Sequence, residues 1–159
     1  MKDKHRFFLT QAIQLAAKGM ENNEGGPFGA IIVDKKGKIV GRGNNKVTST
    51  NDPTAHAEVV AIRAACKNLN AFQLAGCTLY TSCEPCPMCL GAIYWARPEK
   101  VIFAAGRADA AKIGFDDDFI YQEIPLPIEK RQIPTEQLLR AEGIAVFDAW
   151  AEKEDKVEY

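Results

Sequence analysis

A three-layer α/β sandwich with a partly parallel sheet is the fold class predicted for this chain of 159 residues. Three observations predict it: a β-hairpin pattern near the N-terminus, helix and strand periodicities that alternate after it, and an apolar content of 47%, enough for the core of one domain. Residues 4–21 place Phe8, Ala12, Leu15, Ala16, Gly19 and Met20 at helical spacing, and Gly25-Gly26-Pro27 ends that helix. Residues 28–33 read as a strand, 35–38 as a turn and 38–43 as the returning strand. The stretch 44–54, rich in Asn, Ser, Thr, Asp and Pro, reads as loop. A second helix is expected over 56–69, with Thr54 as its N-cap. Residues 77–81 and 100–105 are strand candidates, and between them 85–95 form a helix opened by a cysteine-rich turn. The remainder reads as helical pieces interrupted at Pro125, Pro127 and Pro134 and closing over 147–156. The whole is expected to form one domain, 1–159, with a C-terminal helical tail from about residue 134.

Charge and composition narrow the function classes. Twenty basic side chains against 21 acidic ones give a net charge of −1, so no polyphosphate-binding surface exists by default. No apolar run approaches the roughly 18 residues that span a bilayer, and the N-terminal stretch lacks a signal-peptide h-region. Five cysteines, an odd number, exclude a complete intrachain disulfide framework, so a reducing, cytoplasmic setting is expected. With only two histidines, His5 and His56, any metal site must rest mainly on cysteine or carboxylate.

The residues that carry chemistry are Pro53-Thr-Ala-His56-Ala-Glu58 and Thr81-Ser-Cys83-Glu-Pro85-Cys86-Pro-Met-Cys89. Cys86 and Cys89, three positions apart at a helix start, share one face of the first turn. Helix-terminal N–H groups and a bound cation both favour their thiolate forms. His56 also sits at a predicted helix start, and two helices side by side on a sheet can bring those ends together. One imidazole and two thiolates suit Zn²⁺, and three protein ligands leave the fourth tetrahedral position for water. Two thiolates offset the ion's charge and weaken its acidifying effect, which makes a nearby proton acceptor useful; Glu58 is placed to be one. Cys83, Cys86 and Cys89 also read as part of an iron–sulfur run, although Ala92 stands where a fourth cysteine belongs. A closed, structural His-Cys₃ site that includes Cys83 is the other alternative. The His-x-Glu element favours the catalytic arrangement, because a structural site has no use for that carboxylate. Cys66 and Cys77 read as small buried apolar residues, and His5 as a solvated surface residue.

His56-Ala-Glu58 together with Pro85-Cys86-Pro-Met-Cys89 resembles the zinc-dependent deaminases of cytidine-deaminase-like fold. The resemblance covers roughly residues 5–120. It implies a three-layer α/β/α sandwich with a mixed five-stranded sheet, one Zn²⁺ per chain on His56, Cys86 and Cys89, and Glu58 as a proton shuttle that does not ligate the metal. Gly25-Gly-Pro-Phe-Gly29, Thr50-Asn-Asp-Pro-Thr-Ala-His56, Ala92-Ile-Tyr-Trp-Ala-Arg97, Gly114-Phe-Asp-Asp-Asp118 and the Glu158-Tyr159 terminus are similar to the bacterial guanine-deaminase branch. That branch implies a small purine base as substrate, with attack at C2 and release of ammonia. It implies that Asn45 hydrogen-bonds the purine and that Phe28 packs on its ring. Asp117 would bind the amino group and assist proton transfer, and Trp95 would line the pocket. Without the resemblance, Phe28 and Trp95 read as core, Asn45 as a loop-backbone partner and Asp117 as part of a solvated turn. Tyr159 reads as a frayed terminus; the resemblance suggests instead that the last residues cover an active-site mouth, a neighbouring copy's included. A homodimer, with or without exchange of the C-terminal segment, is the assembly the resemblance implies.

The nearest rival is a tRNA adenosine deaminase, which carries the same zinc motifs. Gripping an anticodon loop needs a basic stripe, whereas residues 151–159 hold four acidic and two basic side chains and Asp116–Asp118 is acidic throughout. Residues 107–118 also lack a Lys-Thr-Gly element. Nucleic acid is therefore not the expected partner. The rival from another class is a non-catalytic, metal-stabilised module, for which Glu58 would be dispensable.

Overall fold

The computed structural model describes residues 2–159, which form two compact units, one ending at Asp117 and the other comprising Asp118–Tyr159. The first unit runs α1 (Lys2–Glu21), β1 (Gly29–Val33), β2 (Ile39–Asn44), α2 (Val47–Thr50), α3 (Ala57–Leu69), β3 (Thr78–Cys83), α4 (Pro87–Ala96), β4 (Lys100–Ala105) and α5 (Arg107–Ala111). The second holds α6 (Asp118–Glu123), a 3₁₀ turn over Ile128–Lys130, and α7 (Arg140–Glu152).

The sheet order is β2-β1-β3-β4. The β1–β2 hairpin and the β1–β3 pair are antiparallel, while β3 and β4, joined through α4, run parallel. Strand alternation sends successive residues to opposite faces. Ala30 and Ile32 of β1 and Leu79 of β3 join Ala57, Ala61 and Ala65 of α3 and Ile93 and Ala96 of α4 in one core. Ile31, Val33 and Tyr80 turn the other way onto Phe8 and Ala12 of α1. Helices thus cover both faces, giving the α/β/α layering expected from the sequence. Each fully buried Ile or Leu in these layers contributes roughly 1.5–3 kcal/mol.

Four departures from the sequence expectations have physical reasons. Among the described residues the sheet has four strands rather than five. Ile124-Pro-Leu-Pro-Ile128 alternates with strand period, but Pro125 and Pro127 have no N–H to give a ladder. The 44–54 stretch contains the short helix α2, started by Asn45 Oδ1, which accepts the Val47 amide at 3.2 Å. His56, not Thr54, is the N-cap of α3; the Thr54 hydroxyl donates instead to Asp52 at 2.6 Å. His5 is half-buried rather than solvated, with Nδ1 2.8 Å from the Tyr80 hydroxyl. Tyr80 is buried against α1, and its hydroxyl needs that partner.

Close backbone approach sets the seat of α3. A Cβ on Gly43 would stand 2.3 Å from the Ala57 carbonyl, and one on Gly41 would stand 2.4 Å from that of Ala61. The helix therefore lies directly on β2, with its N-terminus at the end of the sheet where β3 finishes.

Candidate active site

Two metal-ligand candidates are helix N-caps. His56 caps α3 and Cys86 caps α4, both with extended backbone and neither with a side-chain cap hydrogen bond. Their side chains are thus not spent on their own helices. Cys89 follows one turn into α4 and is buried. The His56 Nδ1 atom lies 3.5 Å from each of the Cys86 and Cys89 sulfurs. A tetrahedral Zn²⁺ with about 2.3 Å to sulfur and about 2.05 Å to nitrogen holds N and S about 3.5 Å apart. The donor set therefore fits this ion in both chemistry and spacing. It is the only such group of three ligands among the described residues.

Cys83 does not belong to it. The Cys83 thiol is buried, points to the Gly106 carbonyl at 3.8 Å, and is pushed up to about 11 chiefly by burial. The closed His-Cys₃ site and the iron–sulfur run both need this sulfur, and the fold turns it elsewhere. Cys86 is drawn down to about 4, first by the Cys89 thiol that donates to it and also by His56. Cys89 is pushed upward by the same bond and by burial. The hydrogen bond with Cys86 likewise raises the His56 imidazole, against the effect of its burial.

Glu58 sits in the first turn of α3, only 6% exposed. Burial raises its carboxyl above the usual range. The Thr81 hydroxyl donates to Oε1 at 3.1 Å, and Oε2 lies 3.5 Å from the Cys89 sulfur. One oxygen is thereby anchored to the sheet while the other faces the ligands. In the sequence Thr81 stands at the head of the cysteine motif, with no role of its own assigned to it. A signal exists: it occupies the inward face of β3 with Leu79 and Cys83, where a polar residue needs a partner.

The remaining candidates differ in burial and in the partners they hold. Asn45 is 6% exposed, and its Oδ1 accepts the amides of Gly26 and Val47, both at 3.2 Å. Those two bonds settle the amide's orientation and leave the NH₂ as the group to offer a ligand. Phe28 is half-buried, with the Phe115 ring edge-on at a centroid distance of 4.9 Å. Phe115, which stands in the sequence within the Gly114-Phe-Asp-Asp-Asp118 motif with no role of its own, packs against Phe28 and Gly26. Asp117 is half-buried; burial raises its carboxyl, its own backbone bond opposes this, and the Cys86 thiolate adds to the rise. Trp95, in the last turn of α4, is 64% exposed rather than in the core. Tyr159 ends the second unit, 69% exposed.

A buried carboxylate beside a His-Cys-Cys triad, at the carboxyl end of a parallel strand pair, defines a zinc deaminase site. Residues 2–105 match the family model of the cytidine and deoxycytidylate deaminase zinc-binding region, and the chain belongs to that family. Within it, the chain is 58% identical over 155 residues to the guanine deaminase of Bacillus subtilis (strain 168), covering 98% of this chain and 99% of that one. The X-ray structure of guanine deaminase from Bacillus subtilis is similar over 98% of both chains, with a TM-score of 0.94 and 57% identity. The tRNA-specific adenosine deaminase of Aquifex aeolicus (strain VF5) is 48% identical over 99 residues, 62% of this chain and 64% of that protein.

Proposed function

We infer that the chain is a zinc-dependent aminohydrolase that converts guanine and water to xanthine and ammonia, with one Zn²⁺ per chain on His56, Cys86 and Cys89. The observation that carries this reading is the 3.5 Å ligand spacing beside the buried Glu58, in a chain 58% identical to a guanine deaminase over nearly its whole length. His56, Cys86 and Cys89 would hold Zn²⁺, which would supply Lewis acidity toward the attacking water. Glu58 Oε2 takes one proton of the attacking water as its oxygen adds to C2, and delivers it to the adjacent ring nitrogen. Glu58 then takes the remaining proton from the hydroxyl added at C2 and gives it to the amine, so that the C2–N bond breaks as the C2 carbonyl forms and ammonia leaves, with Thr81 holding Oε1 throughout. The raised pKa of Glu58 suits it to both halves of this transfer.

Asn45 donates from its NH₂ to an acceptor on the purine edge and so turns C2 toward the metal. Phe28, backed by Phe115, supplies the ring platform. Asp117 accepts from the exocyclic amine and assists its protonation. The working form is a cytoplasmic homodimer acting on a free base rather than on nucleic acid. The chain serves as one catalytic domain whose C-terminal segment exchanges between copies. Supporting this, no residue of 118–159 is buried although Phe119, Ile133, Leu138, Phe147 and Val157 all lie there. In the dimer Trp95 lines the pocket and Tyr159 closes a neighbour's. No helix of the described residues is long and apolar enough to cross a membrane.

The test is ammonia release from guanine, guanosine, adenine, cytosine and aminotriazines. Guanine is expected to be the preferred substrate, and adenine turnover above it would overturn the reading. Glu58→Gln at equal zinc loading is expected to lose roughly 10²–10⁴-fold in kcat. Undiminished turnover would overturn the role of Glu58 as proton shuttle, and no turnover by the zinc-loaded wild type would return the chain to a non-catalytic metal module.

A further inference from the structure

Residues 83 and 84 grip the start of the segment that carries Phe115 and Asp117. The Glu84 amide donates to the Ala105 carbonyl at 2.8 Å, continuing the β3–β4 pairing past Cys83 and Ala105. The Glu84 carboxylate then folds back, and its Oε2 accepts the Arg107 amide at 3.1 Å. The Cys83 thiol holds the carbonyl of the intervening Gly106. Arg107 begins α5, so the carboxylate sits on one of the free amides at that helix's start. From there the chain passes through α5 and the left-handed Gly114 to Phe115, whose amide returns to the Ala110 carbonyl at 3.1 Å. The Phe115 ring meets Phe28 edge-on, and a Cβ on Gly26 would stand 3.0 Å from Phe115 Cζ. Two residues after Glu84, in the other direction, the chain reaches Cys86.

We propose that Glu84 is a positioning residue that sets the base-binding arm, residues 105–117, in register with the metal ligands. The proposal rests on the guanine-deaminase reading for its kinetic consequence, but not for its geometry. The hydrogen bonds of Glu84 go to the backbone of Ala105 and Arg107. Its carboxylate joins the loop that presents Cys86 to the arm that presents Phe115 and Asp117. Losing the carboxylate frees the root of the arm, while β3, α4 and all three ligands keep their own supports. Base binding is then the quantity that suffers, and zinc retention is not. Glutamine can still accept the Arg107 amide through its side-chain oxygen, so it should substitute for glutamate where alanine cannot.

The experiment compares zinc-loaded wild type, Glu84→Ala and Glu84→Gln by zinc per chain, guanine kinetics and peptide hydrogen–deuterium exchange. Glu84→Ala is expected to keep its zinc, raise KM for guanine about tenfold, the scale of one lost charge-assisted hydrogen bond, and change kcat far less. Exchange should quicken over 105–117 and stay unchanged over 86–96. Glu84→Gln should lie within about twofold of wild type in every measure. Unchanged KM with unchanged exchange in Glu84→Ala would overturn the proposal, as would zinc loss in step with activity. If wild type itself failed to deaminate guanine, the functional reading would fall, and the exchange comparison would still decide whether Glu84 holds the arm.

Discussion

Asn45 offers a ligand its NH₂ because its oxygen is already taken by the amides of Gly26 and Val47. Gly25 makes room for that arrangement: a Cβ there would stand 2.3 Å from Asn45 Oδ1 and 2.5 Å from the Asn45 carbonyl. Gly25→Ala should therefore displace the carboxamide, raise KM for guanine by about tenfold or more and leave zinc content alone. Steady-state kinetics beside metal analysis measure this, and an unaltered KM would contradict it. At this scale the grouping of His56, Cys86 and Cys89 as candidate ligands, with Glu58 beside them, was legible in residue type, spacing and the family resemblance. Thr81 was not, because its partnership with Glu58 joins residues 23 apart in sequence on different elements. Cys83 was ambiguous in sequence, since its direction depends on where Gly106 lies after β4.

Among the elements, α3 shows how the site is carried. The Gly41-Arg-Gly43 run reads as an ordinary strand, yet both glycines are needed where the helix backbone rests on β2. Gly43→Ala places a methyl against the Ala57 carbonyl, at the turn that bears Glu58 and next to His56. Overpacking of this kind costs about 1–3 kcal/mol. The variant should melt at a lower temperature and lose zinc more readily to a chelator, as thermal melts with and without chelator would show. Equal stability and equal zinc retention would mean that α3 shifts freely. The four strands and the helices flanking them were readable because each carries its own periodicity. The caps were less so, since His56 is not an N-cap type by preference and holds that place through its neighbours.

On the scale of the whole molecule, residues 118–159 behave differently from the first unit. Their apolar side chains form no buried core, although the first unit buries Ile31, Ile32, Leu74 and Leu79 completely. An apolar surface of this kind calls for cover, and a second copy is the occupant proposed above. Sedimentation at micromolar concentration should show a dimer; a stable monomer with full activity would contradict the assembly. Removing residues 156–159, which end in Tyr159, should lower kcat while zinc per chain is unchanged. Identical kinetics would deny the tail a part in closing the pocket. The net charge of −1 is consistent with a small, free substrate but weighs less than the site geometry.

Donor types, their spacing and strand or helix period are local properties, carried by neighbouring residues. The α/β/α layering, the His56-Cys86-Cys89 set and the candidacy of Glu58 follow from them without reference to the rest of the chain. Direction is a different matter. Which oxygen of Glu58 is tethered, which cysteine turns from the His56-Cys86-Cys89 group, how the Asn45 amide faces and where Glu84 reaches depend on parts of the chain that only the fold brings together. The seat of α3 on β2 sets the first, the register of β3 against β4 sets Cys83 and Glu84, and the approach of the Gly26 amide joins that of Val47 in setting Asn45. Those long-range fits are enforced by backbone contact and hydrogen-bond satisfaction, and they exist only once the chain has closed on itself.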